Sequence, residues 1–332
     1  MPTQSHAAPP AATPHPTGVS PLAASLFSAL IDYAGLFPPA ALSLTDVVRN
    51  YAAYRHSPQR WILGRLILPI ARLDEFAALA TPSAHPLHPS HLPPAAFPSP
   101  PSPWPLSILA PNPSPQDALL LANFRSHHSD HFLADVIETK SAGPDDLLRV
   151  LSIFSPREFK VFVEIPLDSH LDRHLDSIAR HSAFAKVRTG GLTPDLFLPP
   201  AELARFLHAC ATRRLAFKAT AGLHHLLPAT RPLTYASDSP CGPMHGFLNL
   251  FAAAALLFTH PGRFSVSDTA ALLSSPDLSA SGLQMTPDSF TYRGLTVSAA
   301  QAAAARKNFA IGFGSCSFDE PIADLHQAGL LP

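Results

Sequence analysis

AFAKVRTGGLTPDLFLPPAELARFLHACATRRLAFKATAGL, residues 183–223, reads as strand, loop, helix and strand. The outer runs, AFAKVRTGG (183–191) and LAFKATAGL (215–223), are short and apolar, while PAELARFLHACATRR (200–214) has a helical pattern. A helix crossing between two buried strands brings the second back parallel to the first. Working outward, six more runs of this kind alternate with helical stretches: ALIDYAGL (29–36), GRLILPI (64–70), LSILAP (106–111), ADVIETK (134–140), KVFVEIP (160–166) and NFAIGFGS (308–315). Helices are expected at SLTDVVRNYAAYR, capped by Ser43 or Thr45, at SPQDALLLANFR and at GPDDLLRVLSIF. Eight parallel strands alternating with helices close a (β/α)8, or TIM, barrel, the expected α/β fold.

Composition sets the frame. The chain has 332 residues, 46% of them hydrophobic, enough for one barrel-sized core. Charged residues make up 14% and the net charge is −1, so no long-range field draws the chain to nucleic acid or anionic membrane. Three scattered cysteines, with no CxxC pair, indicate neither a disulfide framework nor a zinc ribbon. Such cysteines fit a reducing cytoplasm, and the N-terminus does not pattern as a secretory signal. Residues 1–20 are expected to be a disordered tail, and residues 21–332 the barrel. Two insertions interrupt it: a Pro-rich loop at 81–105, and an extended, mainly helical segment at 224–307 in the seventh unit, with at least two extra helices and a short run, FTYRG. The latter suits a lid or an interface, the second making a homo-oligomer. The apolar stretch at 247–258 is shorter than the ~20 residues of a membrane span and reads as a buried helix.

Catalytic groups of such barrels sit where strands run into the loops at their C-terminal ends. Polar residues in the strand runs are Asp32, Arg65, Glu138, Lys140, Glu164, Lys186, Arg188, Lys218 and Thr220. Alternation puts Glu138 with Lys140, Lys186 with Arg188, and Lys218 with Thr220 on one face each. Buried charges of both signs can form a desolvated network. A lysine crowded by a second lysine and Arg188 would have its ammonium destabilised, freeing an amine to attack a carbonyl. The plainer alternative is a set of inert core ion pairs.

The same segments resemble the class I deoxyribose-phosphate aldolases over most of the chain. LIDYAGLFPPAALSLTDVVRNYAAYR is similar to that family's opening IDHTLL and following helix, GRLILPIARL to its second strand, and VFVEIPLD to its fifth. ADVIETK resembles the strand carrying its catalytic acid, with Glu138 in place of Asp. FAKVRTGGLTP looks like the KTSTG segment, which implies a Schiff-base role for Lys186. LAFKATAGLHH looks like FKPAGGVRT, which implies a tuning role for Lys218. IGFGSCSFDEP is similar to the phosphate-binding closing strand, which points to Gly314, Ser315 and Ser317. Arg188, Ala221 and His224 depart from the pattern, as does the seventh insertion, so a different substrate is implied.

The expected enzyme is a carbon–carbon lyase using Lys186, Lys218, Glu138 and Asp32, with no cofactor and no metal. Arg188, Lys140, Glu164, Thr220, Gly222, His224, Gly314, Ser315 and Ser317 would bind a small carbonyl substrate, which an anionic group would suit. Glu138, Lys186 and Lys218 are expected in one cavity lined by Asp32 and Arg188, with Gly222, Gly314 and Ser315 in an anion pocket beside it. Three other readings compete. Lysines and Arg188 could clamp a carboxylate or phosphate for an isomerase, lyase or decarboxylase without a Schiff base. His224 and His225, with His245, could hold a metal. A scaffold protein would rest on the Pro-rich run alone. Cys316 reads as a small buried hydrophobe, and Asp319 to Pro321 as the start of the last helix.

Overall fold

A computed structural model describes residues 17–81, 103–277 and 282–332. The expected tail, apart from its last four residues, and the Pro-rich segment between residues 82 and 102 lie outside them. Eight strands form one closed barrel: β1 (Ile31–Tyr33), β2 (Leu63–Pro69), β3 (Trp104–Leu109), β4 (Phe132–Lys140), β5 (Lys160–Glu164), β6 (Phe184–Arg188), β7 (Phe217–Thr220) and the last strand, β13 (Ala310–Ser315). All eight neighbouring pairs are parallel, and β13 closes the ring between β7 and β1. The chain is a (β/α)8 barrel, with eleven helices among the described residues. The expected Pro-rich loop ends earlier than residue 105, because Trp104 and Pro105 already pair with Phe132 and Leu133.

The helices start where local chemistry starts them. Ser20 accepts a hydrogen bond from the Ala23 amide at 3.2 Å to open α1 (Pro21–Phe27). Ser43, not Thr45, caps α2 (Leu44–His56) by accepting from the Asp46 amide at 3.1 Å. After β2 comes α3 (Leu73–Ala80), followed by α4 (Pro115–His128), which begins in a capping box of Ser114 and Asp117. Next come α5 (Pro144–Ile153), α6 (Leu171–Arg180) and α7 (Pro200–Arg213). Phe206 of α7 packs edge-on against Phe217 of β7, and Phe217 meets Phe309 in the same way, sealing the outer wall with rings 5.5 and 5.1 Å apart.

The seventh unit is long, as expected, but it is not simply helical. It holds a hairpin, β8 (Ala229–Pro232) and β9 (Cys241–Met244), then α8 (Phe247–Thr259) and α9 (Val266–Ser274). An antiparallel sheet follows, of β10 (Leu283–Met285), β11 (Ser289–Tyr292) and β12 (Leu295–Ser298), and then α10 (Ala299–Asn308). α8 is buried continuously from Phe247 to Leu257, which its all-round apolar sequence requires. No helix among the described residues is long and apolar enough to cross a membrane. The hairpin serves the site: its Leu233 and Met244 pack with Phe197, from the loop after β6, and all three line the cavity at the C-terminal mouth. The last helix, α11 (Asp319–Gln327), begins one residue after Phe318, with the Ser317 hydroxyl accepting from the Glu320 amide at 3.2 Å.

Candidate functional site

Glu138, late in β4, is the hub of the barrel interior. It is 1% exposed, and its two oxygens serve different lysines. Oε2 lies 2.9 Å from Lys186 Nζ, and Oε1 accepts from Lys218 Nζ and, at 2.7 Å, from the Ser107 hydroxyl. Lys218 also donates to Asp32 Oδ2 at 2.5 Å, whose Oδ1 takes the Arg65 amide. Lys186 Nζ sits 3.3 Å from Glu164 Oε2, and Glu164 Oε1 meets Lys140 Nζ at 3.4 Å and Arg188 Nε at 3.1 Å. One chain of alternating charge thus runs Asp32, Lys218, Glu138, Lys186, Glu164, Arg188 and Lys140. Each ammonium in its buried middle touches two carboxylates, the condition under which buried charge is tolerated.

The chain of charges links two cavities. At the C-terminal mouth, a cavity of about 380 Å³ is lined by Glu138, Lys140, Glu164, Lys186, Arg188, Thr220, Gly222, His224 and Gly314 among others. A second, of about 440 Å³, lies toward the N-terminal end and is lined by Asp32, Lys218, Arg65, Lys160 and Arg306. The expectation of one cavity lined by all five of Glu138, Lys186, Lys218, Asp32 and Arg188 is therefore corrected. Strands of a closed barrel tilt, so residues paired in register, as Lys186 and Lys218 are, sit at different heights along its axis. Lys218 and Asp32 reach the mouth only through Glu138.

A second correction concerns like charge. The nearest charged atoms to Lys186 Nζ are carboxylate oxygens, not Lys218 or Arg188. A proton leaving Lys186 therefore has an acceptor in contact. Glu164 Oε2 is buried and, within this cluster, makes no hydrogen bond, while Glu138 takes the hydrogen bonds of Ser107 and Lys218 on Oε1 and meets Lys186 through Oε2. Burial opposes the charge on Glu138, but Lys218 and Lys186, with the hydrogen bonds of Lys218 and Ser107, hold its carboxyl well below the ordinary range. Burial likewise works against the Lys218 ammonium, and Asp32 and Glu138 outweigh it and raise its pKa. The contacts of Lys218 with Asp32 and Glu138 thus favour its ammonium form.

The expected anion pocket is also revised. Gly222 and Gly314 line the mouth, but Ser315 and Ser317 do not. Alternation along the strand turns them outward, where Ser315 Oγ accepts from the Ser317 amide at 3.3 Å and Ser317 Oγ from the Glu320 amide. Cys316, between them, faces the cavity instead. Gly222 adopts φ +73°, and a Cβ there would lie 2.8 Å from Phe197 Cε1 and 2.9 Å from Gly190 Cα. Gly222→Ala is expected to cost about 1–2 kcal/mol from left-handed backbone alone, read as a lower urea midpoint at unchanged slope.

His224 and His225 do not converge on a shared point. Their Nδ1 atoms pair with Glu320 at 2.8 Å and with Asp324 at 3.1 Å, both on α11, while His245 Nε2 meets the Leu198 carbonyl at 2.8 Å. No group of three or more His, Cys, Asp or Glu among the described residues is placed to hold a metal ion. Burial disfavours the His224 imidazolium, but hydrogen bonds to Cys316 and Glu320 prevail and push its pKa up to about 9. Glu320 was missed in the sequence because it reads as a helix start, and the apolar roof of Phe197, Leu233 and Met244 carries no chemical signature.

These groups fix a pH profile. Glu138 and Glu164 are held below their ordinary 4.5, so the stability they contribute is present above that pH and lost on acidification. His224 is raised, so its contribution is complete below its ordinary 6.5 and lost as pH climbs through about 9. Denaturation midpoints should therefore peak between these limits, and His224→Gln should flatten the alkaline limb alone.

The fold and the mouth cluster define a (β/α)8 barrel with an ionic, lysine-centred site at the C-terminal end of its strands. Compared with protein-family models and with curated proteins, the chain matches none.

Proposed function

We propose that the protein is a lysine Schiff-base enzyme, a carbon–carbon lyase of the class I aldolase type, acting on a small carbonyl compound that carries an anionic group. The carrying observation is Lys186 Nζ lining the mouth cavity in contact with Glu164 Oε2, a buried carboxylate oxygen without a hydrogen bond. Lys186 gives its proton to Glu164 and attacks the carbonyl. Glu164 returns the proton as water leaves, and the iminium accepts the electron pair of the adjacent bond. Glu138, whose Oε1 takes the hydrogen bonds of Lys218 and Ser107, acts by charge: it holds Lys186 in place and ties it to Lys218. Arg188 binds Glu164 through Nε alone at 3.1 Å, leaving its terminal nitrogens at the rim for a carboxylate or phosphate. The resemblance to class I deoxyribose-phosphate aldolases supports the same roles for Lys186 and Lys218, without a cofactor. Three free cysteines fit a reducing compartment such as the cytoplasm.

The double ion pairing of Lys186 favours one rival, in which Lys186 and Arg188 clamp an anion and Glu164 abstracts a proton without imine formation. Incubation with pyruvate, acetone or acetaldehyde in D₂O, followed by NMR, tests the proposal. Enamine formation exchanges the protons α to the carbonyl, and this exchange should be catalysed for at least one of the three. No exchange with any of them would count against the Schiff-base reading.

A further inference from the structure

The alternation that turns Ser315 and Ser317 away from the mouth turns Cys316 toward it. Cys316 lines the cavity together with His224. Its Sγ lies 3.9 Å from His224 Nε2, and His224 Nδ1 lies 2.8 Å from Glu320 Oε2. Burial opposes the charge on Glu320, yet its hydrogen bond with His224 holds the carboxyl below the ordinary range. An ionised carboxylate only accepts, so Nδ1 carries a hydrogen and Nε2 is the nitrogen that exchanges a proton with sulfur. The three groups come from the loop after β7, the residue after β13 and the first turn of α11. Together they make a nucleophile, a proton-carrying imidazole within reach and a third group orienting that imidazole. The lysine chemistry uses none of them.

We propose that Cys316, with His224 as its proton relay and Glu320 orienting His224, is a second nucleophilic site in the mouth cavity, and that it takes a small aldehyde as a hemithioacetal. The choice of ligand rests on reading the cavity as a carbonyl site. In the step, an Sγ–C bond forms and the carbonyl π bond breaks. The proton on His224 Nε2 passes to the former carbonyl oxygen, and the thiol proton takes its place on Nε2. Nothing is oxidised or reduced, and reversal returns the aldehyde intact. An aldehyde released or consumed beside Lys186 is thereby held within the same cavity.

The chain carries its own references: Cys241 is exposed and Cys210 is buried. Alkylation of the native protein by iodoacetamide, followed by peptide mass spectrometry, gives three rates from one sample. Cys316 should react at least about tenfold faster than Cys241 despite its burial. His224→Ala and Glu320→Gln should each remove most of that excess. Propionaldehyde should slow alkylation of Cys316 but not of Cys241, and should do so equally in Lys186→Arg, where no imine can form. Cys316 reacting no faster than Cys241 in the unsubstituted protein overturns the nucleophile. Excess reactivity that survives both substitutions overturns the roles of His224 and Glu320. Alkylation in Lys186→Arg that propionaldehyde does not slow overturns the aldehyde assignment and leaves the lysine reading untouched.

Discussion

Lys186→Arg is expected to reduce α-proton exchange and carbon–carbon cleavage by at least about 10³-fold, because it removes the amine of the proposed imine. The substitution keeps a cation between Glu138 and Glu164, so the ionic chain keeps its balance of charge. Guanidinium is not a nucleophile at neutral pH, and among the described residues no other amine lines the floor of the mouth: Lys140 stands at the exposed rim, and Lys218 is fixed by Asp32 and Glu138 below. Folding is checked on the same sample by its denaturation midpoint. Wild-type rates in a folded Lys186→Arg protein would place the chemistry elsewhere.

Glu138→Ala should instead strike stability, by about 3–5 kcal/mol, the cost of leaving buried charge unpaired. Lys218 is 2% exposed and Lys186 3%, and Glu138 is the one carboxylate they share. Removing it leaves Lys218 with Asp32 alone and Lys186 with Glu164 alone, around a void in the barrel interior. Glu138→Gln, which retains an acceptor for Ser107 and Lys218, should lose less. The measurement is urea denaturation near pH 6. A loss below about 1 kcal/mol for Glu138→Ala would mean that the ammonium groups find other partners or water.

Much of the barrel was legible because it is written in local patterns. Short apolar runs separated by helical stretches gave all eight strands, and period-two alternation put Glu138 with Lys140 and Lys186 with Arg188 on one face each, the face that opens on the mouth. Depth was not legible. Whether Lys218 opens to the upper or lower cavity depends on strand tilt and stagger, a property of the closed ring rather than of LAFKATAGL. The phase at β13 could have been read, since Gly314 and Cys316 are two apart, but the resemblance drew attention to the serines. Glu320 meets His224 across 96 residues, and no spacing rule reaches that far. The hairpin at the mouth has only four-residue strands, which the expectation of a helical insertion hid.

The central claim is that Lys186 forms the covalent bond to substrate. Its most direct test is sodium borohydride reduction of the protein with pyruvate, acetone, acetaldehyde or glycolaldehyde, followed by peptide mass mapping. A single reduced adduct should appear on Lys186, within the β6 peptide, with none on Lys140 or Lys218. An adduct on another lysine, persisting in Lys186→Arg, or no adduct with any carbonyl that undergoes exchange, would contradict the account.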